Sequence, residues 1–285
     1  MSVKVRSELF FLKQFGFNDT LLQHIFLLRI DPVDAIFNSE NLLHMELEKK
    51  FTVKEKNLSK QFREYEKFKI DLFRSEKMLK KFDKNKIYFK YDNNNITQLI
   101  PEDIMPLFMY AKGNTSLLEK NKKRVAIVGT RHPSQRAIHI TKKITRNYVK
   151  DGFIIVSGLA EGIDTVAHRT ATENNGRTIA ILPTNFKKVY PAKNKELANN
   201  ILADGLLLTS IGPKENTFKS SFLERNKYVA NISDIVVVTE TKLTSGTMNT
   251  IRNASKAQKK ILFIDQKDTS INKKIYKLGG EILYV

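Results

Sequence analysis

The second half of the chain contains a series of short apolar runs that are rich in β-branched residues. The runs show no alternation of apolar and polar residues, and each is followed by a stretch with the apolar spacing of a helix. Such runs are typical of parallel strands that are buried on both faces of a sheet. We therefore predict a doubly wound α/β fold with a mostly parallel sheet. The predicted strands are Val125–Val128, Phe153–Val156, Thr178–Leu182, Leu206–Leu208, Ile235–Val238, Ile261–Ile264 and Ile282–Val285.

Residues 1–84 have a helical pattern instead. Apolar residues recur at helical spacing, and Asp31-Pro32 places an N-cap and a first-turn proline before a short helix. We predict a small all-α domain over residues 1–84 and the α/β domain over residues 85–285. The apolar stretches of the first domain are Leu9–Phe15, Leu21–Leu28 and Leu58–Phe82.

The chain is strongly basic, with 49 Lys and Arg against 30 Asp and Glu among 285 residues and a formal charge of +19. Residues 1–84 contribute 17 basic and 13 acidic residues, or +4, and residues 85–285 contribute 32 and 17, or +15. An excess of this size usually indicates an anionic partner, with nucleic acid first. A solvated lysine-rich surface is the alternative.

Several classes of protein are disfavoured by composition. The chain has no Cys, so it can form no disulfide framework, thiol nucleophile or thiolate zinc site. Its five histidines include no pair at i and i+4, and we predict no metal site and no cofactor. No segment approaches the ~20 apolar residues of a membrane span, and none has the pattern of a signal peptide. We expect a soluble, cytoplasmic protein with no membrane partner.

The loops that follow the predicted strands carry glycines and cations. In an open parallel sheet a ligand lies beyond the carboxyl ends of the strands, so these loops are the candidate site. In Gly129-Thr130-Arg131, glycine allows a tight turn, Arg131 places a cation beside exposed amides, and Ser134 can cap the next helix. The Ser157–Asp164 loop has two glycines, with a helix starting near Asp164, and its amides could hold a phosphate. Each loop alone is equally consistent with a structural turn.

Three later segments have related chemistry. Tyr190 lies in a loop with Lys193 and Lys195, as single-strand binding by stacking and phosphate contact would require, although a solvated turn is equally possible. The Phe222–Tyr228 segment is expected to set Arg225 and Asn226 at the head of a helix. Ser245-Gly246-Thr247 is a further helix-start anion site.

Taken together, these motifs resemble the DprA/Smf family of DNA-processing proteins over about residues 87 to 265. The run Ile100–Gly113 is similar to the family's approach to its Rossmann-like domain. The motifs, in this order and spacing, are Gly129-Thr130-Arg131, Ser157-Gly158-Leu159-Ala160-x-Gly162-Ile163-Asp164-x-x-Ala167-His168, Tyr190-Pro191-x-x-Asn194, Phe222-x-x-Arg225-Asn226-Lys227 and Ser245-Gly246-Thr247.

The resemblance implies a non-enzymatic, single-stranded-DNA-binding protein with an extended Rossmann-like domain. Such a protein protects incoming DNA and loads the RecA recombinase onto it in natural transformation and homologous recombination. The resemblance also implies a sterile-alpha-motif-like N-terminal domain and a homodimer. The family's DNA-binding residues carry over to Arg131, to the Ser157-Gly158 loop and to Arg225-Asn226, and Lys193 and Lys195 are added because of their charge and position. The candidate DNA-binding residues are Gly129, Thr130, Arg131, Ser157, Gly158, Lys193, Lys195, Arg225, Asn226, Lys227, Ser245, Gly246 and Thr247.

The sequence departs from the family pattern at several points. Gln135–Ile138 stands where a second glycine is usual, and Leu223 replaces a proline after the motif phenylalanine. Gln258-Lys259-Lys260 and Asp265-Gln266 replace a glycine-arginine pair and a proline-glycine pair that flank the last core strand. Only about twenty residues follow Asp265, so we expect no C-terminal winged helix.

Two other functions remain open. In a Rossmann-like enzyme that binds or hydrolyses nucleotides, Ser245-Gly246-Thr247 would act with Glu240 or Asp164, but no carboxylate pair has a spacing that suggests acid/base work. DNA binding, unlike hydrolysis, would release no free base from nucleoside monophosphates. A module that binds RecA with little affinity for DNA would differ in a fluorescence-anisotropy titration with oligothymidine.

Overall fold

The computed structural model describes residues 3–38, 42–61 and 87–285, which form two compact units. The first unit comprises the described residues up to Tyr91, with Pro106–Met109 and Gly212–Glu215. The second comprises Asp92–Met105, Tyr110–Ile211 and Asn216–Val285. The predicted boundary at residue 85 and most of the apolar stretch Leu58–Phe82 lie outside the described residues.

The first unit is mainly helical. Asn18 caps α2 by accepting a hydrogen bond from the Leu21 amide at 2.8 Å. Asp31 caps α3 by accepting from the amides of Val33 and Asp34, with Pro32 at the first helical position, and the predicted N-cap and proline are confirmed. The elements are α1 (Val3–Phe15), α2 (Asp19–Leu27), α3 (Pro32–Phe37), α4 (Leu42–Glu48), α5 (Val53–Gln61) and β1 (Ile87–Phe89).

The remaining elements alternate between strand and helix, as the apolar runs predict. The strands are β2 (Phe108–Gly113), β3 (Arg124–Val128), β4 (Ile154–Ser157), β5 (Thr178–Leu182), β6 (Leu206–Thr209), β7 (Ile235–Val238), β8 (Lys260–Phe263) and β9 (Gly280–Ile282). The helices are α6 (Gln135–Lys150), α7 (Ile163–Glu173), α8 (Lys195–Ile201), α9 (Lys219–Ile232), α10 (Gly246–Lys256) and α11 (Thr269–Tyr276). Among the described residues, no helix has both the length and the apolar character to cross a membrane.

Among the described residues, the sheet has nine strands in the order β1-β2-β6-β5-β4-β3-β7-β8-β9. All neighbours from β6 to β9 are parallel, whereas β2 pairs antiparallel with β6. The predicted mostly parallel α/β fold is therefore confirmed, and each predicted strand is present with ends shifted by up to three residues. The sequence did not predict β2, because Phe108–Gly113 contains no β-branched residue and ends in a lysine and a glycine.

The order of the strands creates a crevice at the carboxyl edge. The chain leaves β3, builds β4, β5 and β6 on one side, and returns to place β7 on the other side. The loops after β3 and β7 therefore diverge from adjacent strands, which is the point where open α/β sheets bind ligands. All five residues of β3 are buried, so the crevice is formed on a rigid central strand.

Arg124 fixes the opposite, amino edge of this central strand. Its side chain is only 1% exposed and donates to the carbonyl oxygens of Ile232, Leu117 and Glu119 at 3.0, 3.1 and 2.9 Å. Its backbone amide donates to Asp234 at 2.7 Å. Burial lowers the pKa of Arg124, while the nearby Asp234 carboxylate opposes that shift.

We expect Arg124→Met to lower the free energy of unfolding by about 3–5 kcal/mol, because it leaves buried acceptors without a donor. Urea denaturation measures this loss. Lys260 is the matched control, since it also begins a parallel strand but is exposed, and Lys260→Met should change the free energy by less than about 0.5 kcal/mol. Equal losses in the two variants would contradict this role for Arg124.

Candidate functional site

A cleft of about 420 Å³ opens at the carboxyl edge of the sheet, beside the crevice between β3 and β7. Its walls are the loops that follow β3, β4 and β7, together with the middle of α9. The predicted site residues among its lining are Gly129, Thr130, Arg131, Gly158, Arg225, Asn226, Ser245, Gly246 and Thr247.

The loop after β3 places Arg131 at the cleft with its side chain exposed. The Thr130 amide donates to the Glu240 carbonyl at 2.8 Å, and a Cβ on Gly129 would lie 2.9 Å from that same carbonyl oxygen. Ser134 caps α6 by accepting from the Ala137 amide at 3.1 Å, as predicted. The turn is therefore fixed at both ends, and Arg131 projects from a rigid backbone.

The loop after β4 is filled by a carboxylate of the protein. Asp164 accepts hydrogen bonds from the amides of Gly158 and Ala160 at 3.1 and 3.3 Å. Ser157 is buried, and its hydroxyl donates to the Ile127 carbonyl at 2.7 Å. The sequence predicted that amides of this loop could hold a phosphate. In the structure, the amides of Gly158 and Ala160 hold the carboxylate of Asp164 instead. The structure therefore gives Ser157 a supporting position under the cleft, whereas Gly158 lines the cleft with its amide already bound to Asp164.

Arg225 lies in the floor of the cleft and is only 5% exposed. Its guanidinium donates to the carbonyls of Gly158 and Ile181 and to the side-chain oxygen of Asn226. A Cβ on Gly158 would overlap this guanidinium, so glycine is needed there. Because Arg225 is buried, its guanidinium is bonded mainly to the backbone of the protein. Only its small exposed surface is open to a ligand.

The expected position of Arg225 and Asn226 at the head of a helix is wrong. Helix α9 begins at Lys219, where the Ser221 hydroxyl accepts from the Phe218 amide at 3.1 Å. No glycine or proline interrupts the chain from there, so the helix continues past both residues to Ile232. The Asn226 side chain instead donates to the Gly246 carbonyl at 3.1 Å and ties α9 to the start of α10.

Asp164 and Arg225 are buried groups of opposite charge that both bind the backbone of Gly158, one at its amide and the other at its carbonyl. Burial raises the pKa of Asp164, and the positive charge of Arg225 opposes the shift. Burial also lowers the pKa of Arg225, with Asp164 opposing and Arg131 adding to that shift. Among the described residues, neither Arg131 nor Lys242 has a carboxylate within salt-bridge distance, and both are exposed at the cleft. The floor thus contains buried charges of both signs, and the rim carries two cations.

The N-terminus of α10 also faces the cleft. Ser245 caps the helix by accepting from the Met248 amide at 3.3 Å. The Thr247 hydroxyl donates to the Gly129 carbonyl at 2.9 Å and links this loop to the loop after β3. Gly246 is exposed at the first helical position. A helix N-terminus with its positive dipole end beside two exposed cations suits an anionic group.

Three predicted cations lie outside the lining of the cleft. Lys193 pairs with Glu161 at 3.0 Å, and Lys227 pairs with Glu224 on its own helix at 2.7 Å. Lys195 is exposed at the start of α8. The structure therefore does not bring these three lysines together with Arg131.

A smaller aromatic hollow of about 130 Å³ adjoins the cleft and shares Arg131 and Arg225 with it. Tyr190 and Phe222 meet there edge to face, with ring centroids 5.4 Å apart, and Tyr190 is 48% exposed. Phe222 and Lys242 were missing from the predicted site. Their signals were present, since Phe222 begins the Phe-x-x-Arg-Asn motif and Lys242 follows soon after the end of β7.

His168 supports the fold rather than a ligand. Its Nδ1 lies 2.7 Å from the Thr178 hydroxyl, which itself donates to the Ile155 carbonyl at 2.7 Å. Burial, with the nearby positive charge of Arg225, lowers the pKa of His168 from 6.5 to about 3. Within residues 3–38, 42–61 and 87–285, no three His, Asp or Glu side chains converge to hold a metal ion.

A family model and several known proteins match this chain. The model of the DNA recombination-mediator protein A family matches residues 88–277. The DNA processing protein DprA of Streptococcus pneumoniae is 39% identical over 149 residues, covering 52% of each chain. Protein Smf of Synechocystis is 41% identical over 131 residues, covering 46% of this chain and 33% of that protein. The chain therefore spans between a third and about half of the length of these curated relatives.

Two solved structures are also similar. The X-ray structure of DprA from Streptococcus pneumoniae matches with a TM-score of 0.71 and 27% identity, over 98% of this chain and 94% of that chain. DNA processing protein A from Helicobacter pylori, solved for its single-stranded DNA binding mode, matches with a TM-score of 0.61 and 28% identity. That match covers 70% of this chain and 91% of that chain.

Gly162 should tolerate no side chain. It has φ +76° and ψ −124°, and a Cβ would overlap the Thr130 and Arg131 backbone. We expect Gly162→Ala to lower the free energy of unfolding by about 2–4 kcal/mol in urea denaturation. At Gly246 the nearest atom to a Cβ is 3.8 Å away, so Gly246→Ala should change it by less than about 1 kcal/mol. Equal tolerance at both sites would contradict the described loop packing.

His168 should make stability fall as the pH is lowered. The unfolded histidine binds a proton below pH 6.5, whereas the folded one stays neutral to about pH 3, so acid favours the unfolded state. Between pH 7 and pH 5 this group should remove about 2 kcal/mol. His168→Gln should remove that part of the pH dependence in urea denaturation, whereas His139→Gln, at an exposed position, should retain it. Identical pH profiles for wild type and His168→Gln would rule the effect out.

Proposed function

Because the chain belongs to the DNA recombination-mediator protein A family, we propose that it binds single-stranded DNA at the cleft and acts in DNA processing without catalysing a reaction. The observation that carries the proposal is the arrangement of Arg131 and Lys242 beside the N-terminus of α10. These groups bind phosphate without reading a base, as a protein that receives any incoming strand requires.

The phosphate contacts divide between charge and backbone. The exposed guanidinium of Arg131 can hold two phosphate oxygens at once, and Lys242, from the loop after β7, supplies a point charge. The start of α10, at Gly246 and Thr247, adds the amides of a helix N-terminus to the same lining. Arg225 stays bound to the carbonyls of Gly158 and of Ile181 in β5, and it supports the loop after β4 from below.

The aromatic hollow provides a place for a base. Tyr190 is half exposed and held edge to face by Phe222, so one face of its ring is available for stacking. Stacking on an aromatic ring is tolerant of sequence because every base has a π-face. Lys193 and Lys195 act in this proposal by long-range attraction, because neither lines the cleft or the aromatic hollow.

The carboxylates near the cleft favour binding over catalysis. Asp164 accepts from two backbone amides, and Glu240 accepts from the Ser134 amide at 2.8 Å. Each carboxylate therefore has a structural partner at the position where a nucleotide-hydrolysing enzyme would need a free acid or base. We accordingly place the alternative of a nucleotide hydrolase second.

The wider role that we propose follows the family. The protein would coat and protect incoming single strands in the cytoplasm and deliver them to RecA during natural transformation and recombination. A homodimer would double the contacts to one strand by effective concentration and leave other surfaces for the recombinase.

Binding of fluorescein-labelled oligothymidine, followed by anisotropy, should weaken with salt at a log–log slope of about −3 to −4, if four to six phosphates are neutralised. The combined Arg131→Ala and Lys242→Ala variant should reduce that slope by about 1.4, because two phosphate contacts are lost.

Lys260→Ala is the control, because this exposed lysine lies at the amino edge of the sheet, away from the cleft. It should leave the slope unchanged. A wild-type slope near zero, or a slope unaffected by loss of both rim cations, would overturn the proposal.

A further inference from the structure

Helix α6 presents a face of one charge sign. Its sixteen residues include five Lys or Arg and no Asp or Glu, and all five cations are exposed. At 3.6 residues per turn they fall, with His139, within an arc of about 120° that extends about 20 Å along the helix. The buried residues Ala137, Thr141 and Ile144 lie on the opposite side. The basic face consists of Arg136, His139, Lys142, Lys143, Arg146 and Lys150.

This arrangement of charges lowers the stability of helix α6. Lys142 and Arg146, and Arg146 and Lys150, are like charges at i and i+4, and such pairs repel. Arg136 lies in the first turn, at the positive end of the helix dipole. Within the described part of the chain, no carboxylate lies within 4 Å of these cations. An exposed helix normally mixes the two signs, so the basic face suits an external anion.

The side chains of the basic face indicate which kind of partner it binds. Among the described residues, none of the large exposed apolar side chains belongs to α6, so the face lacks the aromatic or aliphatic anchors of a protein interface. It likewise has no exposed apolar side chains to insert into a membrane. A repeated anion at a spacing of a few ångströms, such as a phosphate backbone, matches a row of cations along one side of a helix.

The face begins where the cleft ends. The loop from Gly129 to Ser134 joins β3 to α6, and Arg131 and His132 of that loop line both the cleft and the aromatic hollow. Helices that follow parallel strands start at the carboxyl edge of the sheet and return towards the amino edge. A single DNA strand that leaves the cleft over His132 would therefore contact Arg136 first and Lys150 last.

We propose that the basic face of α6 binds the backbone of the same single DNA strand as it leaves the cleft, and thereby lengthens the binding site. The inference rests on the proposed function, because it takes the strand in the cleft as its starting point. The face adds affinity only for strands long enough to extend beyond the cleft.

The test compares two oligothymidines, of about 6 and about 25 nucleotides, by anisotropy with the full chain. The combined Lys142→Gln, Lys143→Gln and Arg146→Gln variant should bind the short strand as the wild type does. For the long strand it should lose about tenfold in affinity, and its salt slope should fall by about 2, since three phosphate contacts are removed.

The control combines Lys256→Gln, Lys260→Gln and Lys273→Gln, which makes the same change in net charge at exposed lysines on other elements. It should reduce long-strand binding far less. Glutamine keeps the helix propensity of lysine, and thermal denaturation confirms folding of both variants.

Each outcome has a separate meaning. If the wild type binds neither oligonucleotide, the proposed function fails. If it binds both but the α6 variant keeps the full affinity for the long strand, or the control loses as much as the α6 variant, the inference about α6 is overturned. A stronger effect of the α6 variant on a blunt duplex of equal length than on the single strand would also overturn it.

Discussion

The buried pair of Asp164 and Arg225 organises the loops around the cleft. Asp164 reaches back from the first turn of α7 and binds the amides of the loop after β4. Arg225 reaches from the middle of α9 and binds carbonyls of that loop and of β5. Burial of either charge alone is costly, and the opposite charge of the other residue offsets part of that cost. Gly158 is the place where both meet the backbone, and a side chain there would separate them.

This internal pair determines which groups remain for a ligand. The amides of the loop after β4 hold the protein's own carboxylate, whereas the N-terminus of α10 and the cations Arg131 and Lys242 face the open cleft. The charge of +15 in residues 85–285 then has two uses. Arg131 and Lys242 make contacts at the cleft, and the remaining cations attract an anionic strand and raise its rate of association.

Local patterns in the sequence were sufficient to predict much of this structure. The strands from β3 to β9 and the caps at Asp31 and Ser134 depend on neighbouring residues, and the structure contains them. Strand β2 contains no β-branched residue, so it lacks the pattern that marks the other strands, and it was missed. The start of α9 was misplaced because Arg225 resembles a helix-start anion ligand until its burial is known. The sequence also could not show that Asp164 occupies the loop after β4. An aspartate that caps a helix and one that fills a phosphate site stand at the same position in a sequence.

The central claim is that the loops after β3 and β7 bind the backbone of single-stranded DNA. Amide hydrogen exchange of the full chain, with and without a saturating oligothymidine, tests it most directly. Binding at the cleft predicts slower exchange in the peptides that span residues 129–134 and 241–250. Unchanged exchange in both peptides, with slowing elsewhere in the chain, would contradict the claim.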